Sequence, residues 1–324
     1  MKCKFILSLN FFLLVAVFSF AQQEMQVTHN MFNQMDINPG FAGINGKICA
    51  TIIHRNQWMS FPGSPVTTLF SLDAPVFKSF GVGVNYMQDQ LGAETNKVGK
   101  INLAYHLKLN NGGTLGLGVA GAFNNTYIDF TKFLAGDAIA NNTTTTTDPR
   151  LLPASKASTF MIDLSFGAFY KVPDNYYLGF SSSQLMQSKK DIGNSNFELK
   201  RHYYLTGGKE FPLQSMPLKL VPSLLIKSDM SSTQFDLNCL AIWKDKYWAG
   251  LTYRFQDAVA LLVGGQPFAQ SNKKALSDLT IGFSYDLTTS AMSSGHGSLE
   301  FMLGYCFKIS KPVRVESYRN TIYL

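Results

Sequence analysis

The stretch Ile101-Asn-Leu-Ala-Tyr-His-Leu-Lys-Leu109, the turn Asn110-Asn-Gly-Gly113, and then Thr114-Leu-Gly-Leu-Gly-Val-Ala-Gly-Ala-Phe-Asn124 alternate apolar residues with polar or small ones on both sides of the turn. Successive side chains of a strand point to opposite faces, so this period makes an amphipathic hairpin. One face of the first strand carries Ile101, Leu103, Tyr105, Leu107 and Leu109, and the other carries Asn102, Ala104, His106 and Lys108. The second strand sets Leu115, Leu117, Val119 and Phe123 against Thr114, Gly116, Gly118, Ala120 and Asn124.

The same pattern recurs along the chain. Phe160, Ile162, Leu164, Phe166, Ala168 and Tyr170 alternate with Thr159, Asp163, Ser165 and Gly167, which places a carboxylate on the polar side. Leu279, Ile281, Phe283 and Tyr285 oppose Asp278, Thr280, Ser284 and Asp286. Leu299, Phe301, Leu303, Tyr305 and Phe307 oppose Ser298, Glu300, Gly304 and Lys308. Aromatic residues end most apolar faces, as in an interfacial girdle. Between Lys47 and Lys308 the pattern predicts about 14 antiparallel strands, an even number as single-chain outer-membrane barrels have. Tight turns at Phe77–Ser79, Asn110–Gly113, Lys171–Asn175 and Lys244–Lys246 fall at every second junction. Most junctions between them read as longer, the longest from about Asp129 to Ala157 with its Thr143–Thr147 run. Short periplasmic turns and longer external loops match a transmembrane barrel, against two exceptions: a tight external turn at Gln256-Asp257 and a longer periplasmic one from Gly265 to Ala275.

Composition separates this reading from a pair of secreted β-sandwiches. The chain is 46% hydrophobic and only 15% charged, with 26 Phe and 14 Tyr. A soluble protein carries about 25% charge, whereas a barrel replaces surface charge with an apolar band. The chain begins with the basic Met1-Lys2-Cys3-Lys4, then an apolar run from Phe5 to Phe20 and small residues at Ser19 and Ala21. That is the form of an export signal cut after Ala21. The expected organisation is a signal peptide over 1–21, a periplasmic segment over 22–46, a transmembrane β-barrel over 47–308 and a periplasmic tail over 309–324. The expected location is the outer membrane.

Catalytic and cofactor motifs are absent. Gly116-Leu-Gly118-Val-Ala-Gly121 fits GxGxxG but lies within a strand with no helix after it, so it reads as close backbone packing. His29, His54, His106, His202 and His296 have no metal-ligand spacing, and no GxSxG elbow occurs. No enzyme activity, cofactor or metal is therefore expected. The formal charge of +7 is spread along the chain and includes the signal; no basic stripe interleaves with aromatics, so nucleic acid is not an expected partner. Three cysteines remain after processing, Cys49, Cys239 and Cys306. Cys49 and Cys306 fall in the first and last strands, on the lumen side. A seam disulfide is one outcome, and restrictive cross-strand geometry favours the other, two free thiols. Cys239 reads as lipid-facing.

Met31-Phe32-Asn33 and Asn38-Pro39-Gly40-Phe41-Ala42-Gly43 resemble the "MFN…NPAYAG" opening of the PorP/SprF family of Bacteroidota outer-membrane proteins. His54-Arg55-Asn56-Gln57-Trp58, Pro62-Gly63-Ser64-Pro65 and Ser71-Leu72-Asp73-Ala74-Pro75 are similar to that family's "RxQW…GxP…SxDxP" stretch. Gly81-Val-Gly-Val84, Tyr105-His106, Gly282-Phe-Ser-Tyr-Asp286 and Gly304-Tyr-Cys-Phe307 match its later strands. Gly40, His54 and the tail from Ile309 depart from the family pattern. The resemblance implies a non-enzymatic component of type IX secretion and gliding motility. Such a component anchors or helps export a surface adhesin with a type B C-terminal domain. It also implies contact with periplasmic secretion-ring and peptidoglycan-linked partners, beside outer-membrane lipid. A barrel transporting a hydrophobic or small solute is the alternative.

Partner contact is expected from two places. In the segment over 22–46, Asn38 and Pro39 predict a turn, and Phe32 and Phe41 either anchor the segment in the lumen as a plug or against a partner, or belong to a simple lead-in that packs under the barrel. At the first external loop, Arg55, Gln57 and Trp58 stand where cargo arrives, with a girdle anchor the other role for Trp58.

Overall fold

The computed structural model describes residues 25–130, 156–192, 195–269, 277–290 and 296–307. The strands are β1 (Ile48–Asn56), β2 (Val66–Phe77), β3 (Phe80–Leu91), β4 (Glu94–Lys108), β5 (Thr114–Asp129), β6 (Lys156–Val172) and β7 (Tyr176–Ser183), then β8 (Lys189–Ile192) and β9 (Ser195–Glu198). They continue with β10 (His202–Lys209), β11 (Phe211–Leu213), β12 (Leu218–Ser228), β13 (Thr233–Trp243), β14 (Tyr247–Arg254), β15 (Ala258–Gly265), β16 (Leu279–Thr288) and β17 (Ser298–Phe307).

All but β8 and β9 form one antiparallel sheet of chain-order neighbours, and the pairings β1–β17 and β10–β12 close it. β10 and β11 share one register against β12, from Tyr203↔Ser228 to Leu213↔Leu218, so they are one wall strand interrupted around Glu210. The interruption stands at the level of Pro222, which has no N–H to give to a ladder. Counted this way the wall is a closed barrel of 14 strands. β8 and β9 form a separate hairpin within the connection between β7 and β10.

Burial follows the expected alternation. On β4, Ile101, Leu103, Tyr105 and Leu107 are exposed on the outer face, while Asn102, Ala104 and His106 are buried towards the lumen. The barrel has a near rim, where β1 begins, and a far rim, where β1 ends. The near-rim turns over 78–79, 109–113, 173–175 and 244–246 are short, as predicted. Far-rim connections are less uniformly long than the sequence suggested: besides the expected tight turn over 255–257, those over 92–93 and 229–232 are also tight. In the turn over 92–93, Gly92 has a φ of 58°, and its N–H donates to the Gly63 carbonyl at 2.9 Å. β5 and β6 pair out to Asp129↔Lys156, so their ladder reaches the bounds of the predicted long loop. That loop's centre, the signal, the tail and most of the Gly265–Ala275 turn lie outside the described residues.

The thiol expectation is corrected at the seam. Cys49 and Cys306 are direct cross-strand partners with Cα atoms 4.1 Å apart, and they form a disulfide. Narrow antiparallel pairs bring opposed side chains this close, and closure supplies the partner that sequence position hid. Cys239 is exposed on the outer face, as expected.

Candidate functional site

The lumen contains the chain's own N-terminal segment. Over residues 25–46 this segment has no strand; it folds through three single 3₁₀ turns, Asn30–Phe32, Gln34–Asp36 and Pro39–Phe41. Its turns bond within themselves, from Phe32 N on the His29 carbonyl (3.0 Å) to Ala42 N on the Pro39 carbonyl (3.2 Å), and wall side chains and carbonyls supply further partners. Towards the near rim, Asn38 accepts a hydrogen bond from Gly40 N on Oδ1 (2.9 Å) and donates through Nδ2 to the carbonyls of Ala168 (3.0 Å) and Phe180 (3.1 Å). Pro39 begins the turn that Asn38 caps. Gly43 N donates to Asp73 (2.8 Å), His106 Nε2 meets the Ala42 carbonyl (3.0 Å), and Ser181 donates to the Ile37 carbonyl (2.6 Å). Lys100 bonds to the carbonyl (2.9 Å) and carboxylate (3.3 Å) of Asp36.

A glycine-lined seat receives this turn. A methyl group added at Gly116 or Gly118 would collide with Gly40 or Pro39, one at Gly167 with Asn38, and one at Gly81 with the Ala42 carbonyl. The GxGxxG glycines on β5 therefore serve backbone approach, with Gly121 facing outward. Apolar packing does the rest: Phe32 packs on Trp248 in a tilted contact with centroids 4.7 Å apart, within a cluster holding Ile53, Leu69, Leu240 and Met302. Phe41 meets Phe169 edge-on at 5.1 Å.

Towards the far rim the segment enters a buried ionic cluster. Glu300 accepts from Thr28 N (2.8 Å), His29 N (2.7 Å), His29 Nδ1 (2.7 Å) and Arg55 (3.2 Å). Arg55 also donates to Asp286 (2.7 Å) and to the Thr28 hydroxyl (3.0 Å), and that hydroxyl donates in turn to Asp286 (3.0 Å). Arg254 completes the cluster through Asp286 (3.2 Å), Asp236 (3.3 Å) and Gln26 (3.3 Å). All of these side chains are buried. Charges at such depth are tolerated only when paired and hydrogen-bonded, as here.

Beside the segment, the lumen keeps a vestibule of about 480 Å³ that includes Met25, Asn96, Asn124, Ser183 and Lys200. Asn124 Nδ2 and Ser183 Oγ are buried there without a hydrogen-bond partner. The β8–β9 hairpin stands at its edge, where Lys189 bonds to Glu198 (3.1 Å); that hydrogen bond is the main cause holding the Glu198 carboxyl below its ordinary value. Among the described residues no group of His, Cys, Asp or Glu is arranged to hold a metal ion.

The predicted contact residues thus divide. Phe32, Asn38, Pro39, Phe41 and Arg55 lie in the lumen, with the intramolecular partners given above. Gln57 and Trp58 lie at the far rim: Gln57 is buried with its N–H on the Pro65 carbonyl (2.9 Å), and Trp58 is partly exposed. Trp58 holds a φ of 50°, a left-handed conformation rare for a bulky residue, and its N–H donates to Ser298 Oγ at 3.2 Å. Sequence reasoning missed Thr28, His29, Asp236 and Arg254 as one site with Arg55, Asp286 and Glu300. The available signal was a set of ionisable residues inside strands of membrane depth.

A family profile described as "Type IX secretion system membrane protein PorP/SprF" matches residues 19–305. The chain belongs to the PorP/SprF family. Family and barrel together indicate an outer-membrane protein of the type IX secretion system, and they are those of secretion or transport membrane proteins. No curated protein matches the chain. Among solved structures, the toluene transporter TodX of P. putida is similar at 10% identity and a TM-score of 0.47, over 85% of this PorP/SprF chain and 93% of TodX. A Pseudomonas aeruginosa FadL homologue gives 13% identity and a TM-score of 0.44, over 82% and 89%. The KdgM porin gives 8% and 0.37, over 81% and 99%.

Proposed function

We propose that this PorP/SprF protein is an anchoring or export partner for a surface protein with a type B C-terminal domain, and that it contacts periplasmic and peptidoglycan-linked components of the same machine. One observation carries the reading against solute transport: the lumen is occupied by residues 25–46, bonded to the wall from the Asp73–Gly43 contact near one rim to the Glu300–Thr28 contact towards the other. A conduit needs an open or easily opened lumen, whereas an anchor needs a rigid body with exposed docking surface. Short near-rim turns support a periplasmic near rim, and hence an external far rim. The cargo side is then the far rim, with Trp58 at its contact surface. An export signal over 1–21, cut after Ala21, delivers the chain, and the tail from 309 faces the periplasm.

The test is affinity purification of tagged protein from detergent-solubilised outer membranes, with co-purifying chains identified by mass spectrometry. Recovery of a type B surface protein or secretion-ring components, weakened at least severalfold by Trp58→Ala for the surface protein, supports the reading. A clean monomer that conducts in planar bilayers replaces it with the transporter reading.

A further inference from the structure

The outer wall is lined mainly by Leu, Phe, Val and Tyr, and on β10, β12 and β13 three residues of low bulk face outward together. Gly207, Pro222 and Cys239 lie on adjacent strands, Pro222 directly opposite Cys239 and Gly207 one step along the barrel opposite Leu224. Their lack of bulk leaves a depression of about 940 Å³ in the membrane-facing surface, walled by Leu178 on one side and Leu251 and Tyr253 on the other. A side chain is not sterically excluded at the first position: a methyl group on Gly207 would touch Leu178 at an ordinary 3.6 Å. The hollow is thus a property of the chosen residues.

At the near-rim end of the hollow stands a cation. Lys209 is exposed, and its Nζ sits 5.0 Å from the Phe211 ring centroid. Nearby, in the turn that follows β13, Lys244 covers Trp243 at 5.7 Å. Ammonium groups over outward aromatic rings mark the level where the apolar band meets charged headgroups. An apolar hollow running away from an exposed ammonium at headgroup level matches an amphiphile with an acyl chain and an anionic head.

We propose that this groove is a specific glycerophospholipid site of the near-rim leaflet, with an acyl chain in the hollow over Gly207, Pro222 and Cys239 and the phosphate at Lys209. The site is independent of the anchoring reading, because it uses only the outer wall.

The test is native mass spectrometry of full-length protein released from vesicles of phosphatidylethanolamine and phosphatidylglycerol. The wild type retains one phospholipid under activation that strips the rest. Filling the hollow with Gly207→Leu and Cys239→Phe lowers its occupancy about tenfold, and Lys209→Glu lowers it severalfold while leaving the hollow intact. Each variant is first shown to keep the heat-modifiable gel migration of the folded barrel. Lys209→Glu alone suffices if the filled variant does not fold. Equal retention by wild type and both variants overturns the proposal, as does a wild type that retains no phospholipid or retains only added lipopolysaccharide.

Discussion

Glu300 sits where a carboxylate is least tolerable unless every lone pair is used, and four donors meet it there. An ionised carboxylate accepts only, so His29 is oriented with its Nδ1 proton towards Glu300. Removing one member of such a cluster strands the others. Glu300→Gln leaves Arg55 with one carboxylate fewer and weakens the hold on Thr28 and His29, at a cost of about 3 kcal/mol. The expected readout is a lower denaturant midpoint, with earlier protease cleavage within 25–46. An unchanged midpoint and cleavage pattern would show that the cluster does not hold the segment. Gly118 is the other decisive residue, because its missing side chain is the space occupied by Pro39 and Gly40. Gly118→Leu is expected to expel the segment, read as new reactivity of a cysteine placed at Phe41.

At the scale of elements, the seam between β1 and β17 joins residues 257 positions apart through Cys49 and Cys306. Closing a loop of that length is worth roughly 5 kcal/mol on loop entropy alone, an upper figure given the scatter among real disulfides. Replacing both cysteines by serine is expected to lower the temperature at which the folded barrel converts to the unfolded gel species, and reductant should do the same to the wild type. Serine variants that melt with the oxidised wild type would show the seam ladder to be sufficient without the bond. The wall strand β10–β11 is the contrasting element. Its break beside Pro222 is a weak point in the ladder, and it lies beside the hollow assigned to lipid.

At the scale of the molecule, the barrel encloses a folded segment in place of an open channel. Full-length protein is therefore expected to show little conductance in planar bilayers, and deletion of residues 25–44 to open a steady current. If the deletion prevents folding, Gly118→Leu tests the same point within the intact chain. A full-length protein that already conducts like the deletion would show the segment to be no barrier, and would remove the main support for an anchor over a transporter.

The wall is legible in the amino-acid sequence alone. Period-two alternation is local, so the outward Ile101–Leu107 row, the inward Asn102–His106 row and the number of strands needed nothing beyond neighbouring residues. The turn at Asn38-Pro39 is legible in the same way, since an Asn side chain can bond to the backbone two residues on. What fills the lumen follows from contacts distant in the chain. Thr28 and Glu300 are 272 residues apart, and closing the sheet is what places Arg55, Arg254, Asp286 and Glu300 around one point. The same closure brought Cys49 onto Cys306 and put the β5 glycines under Pro39, because register around a barrel is set by the pairing of all its strands and by no single one.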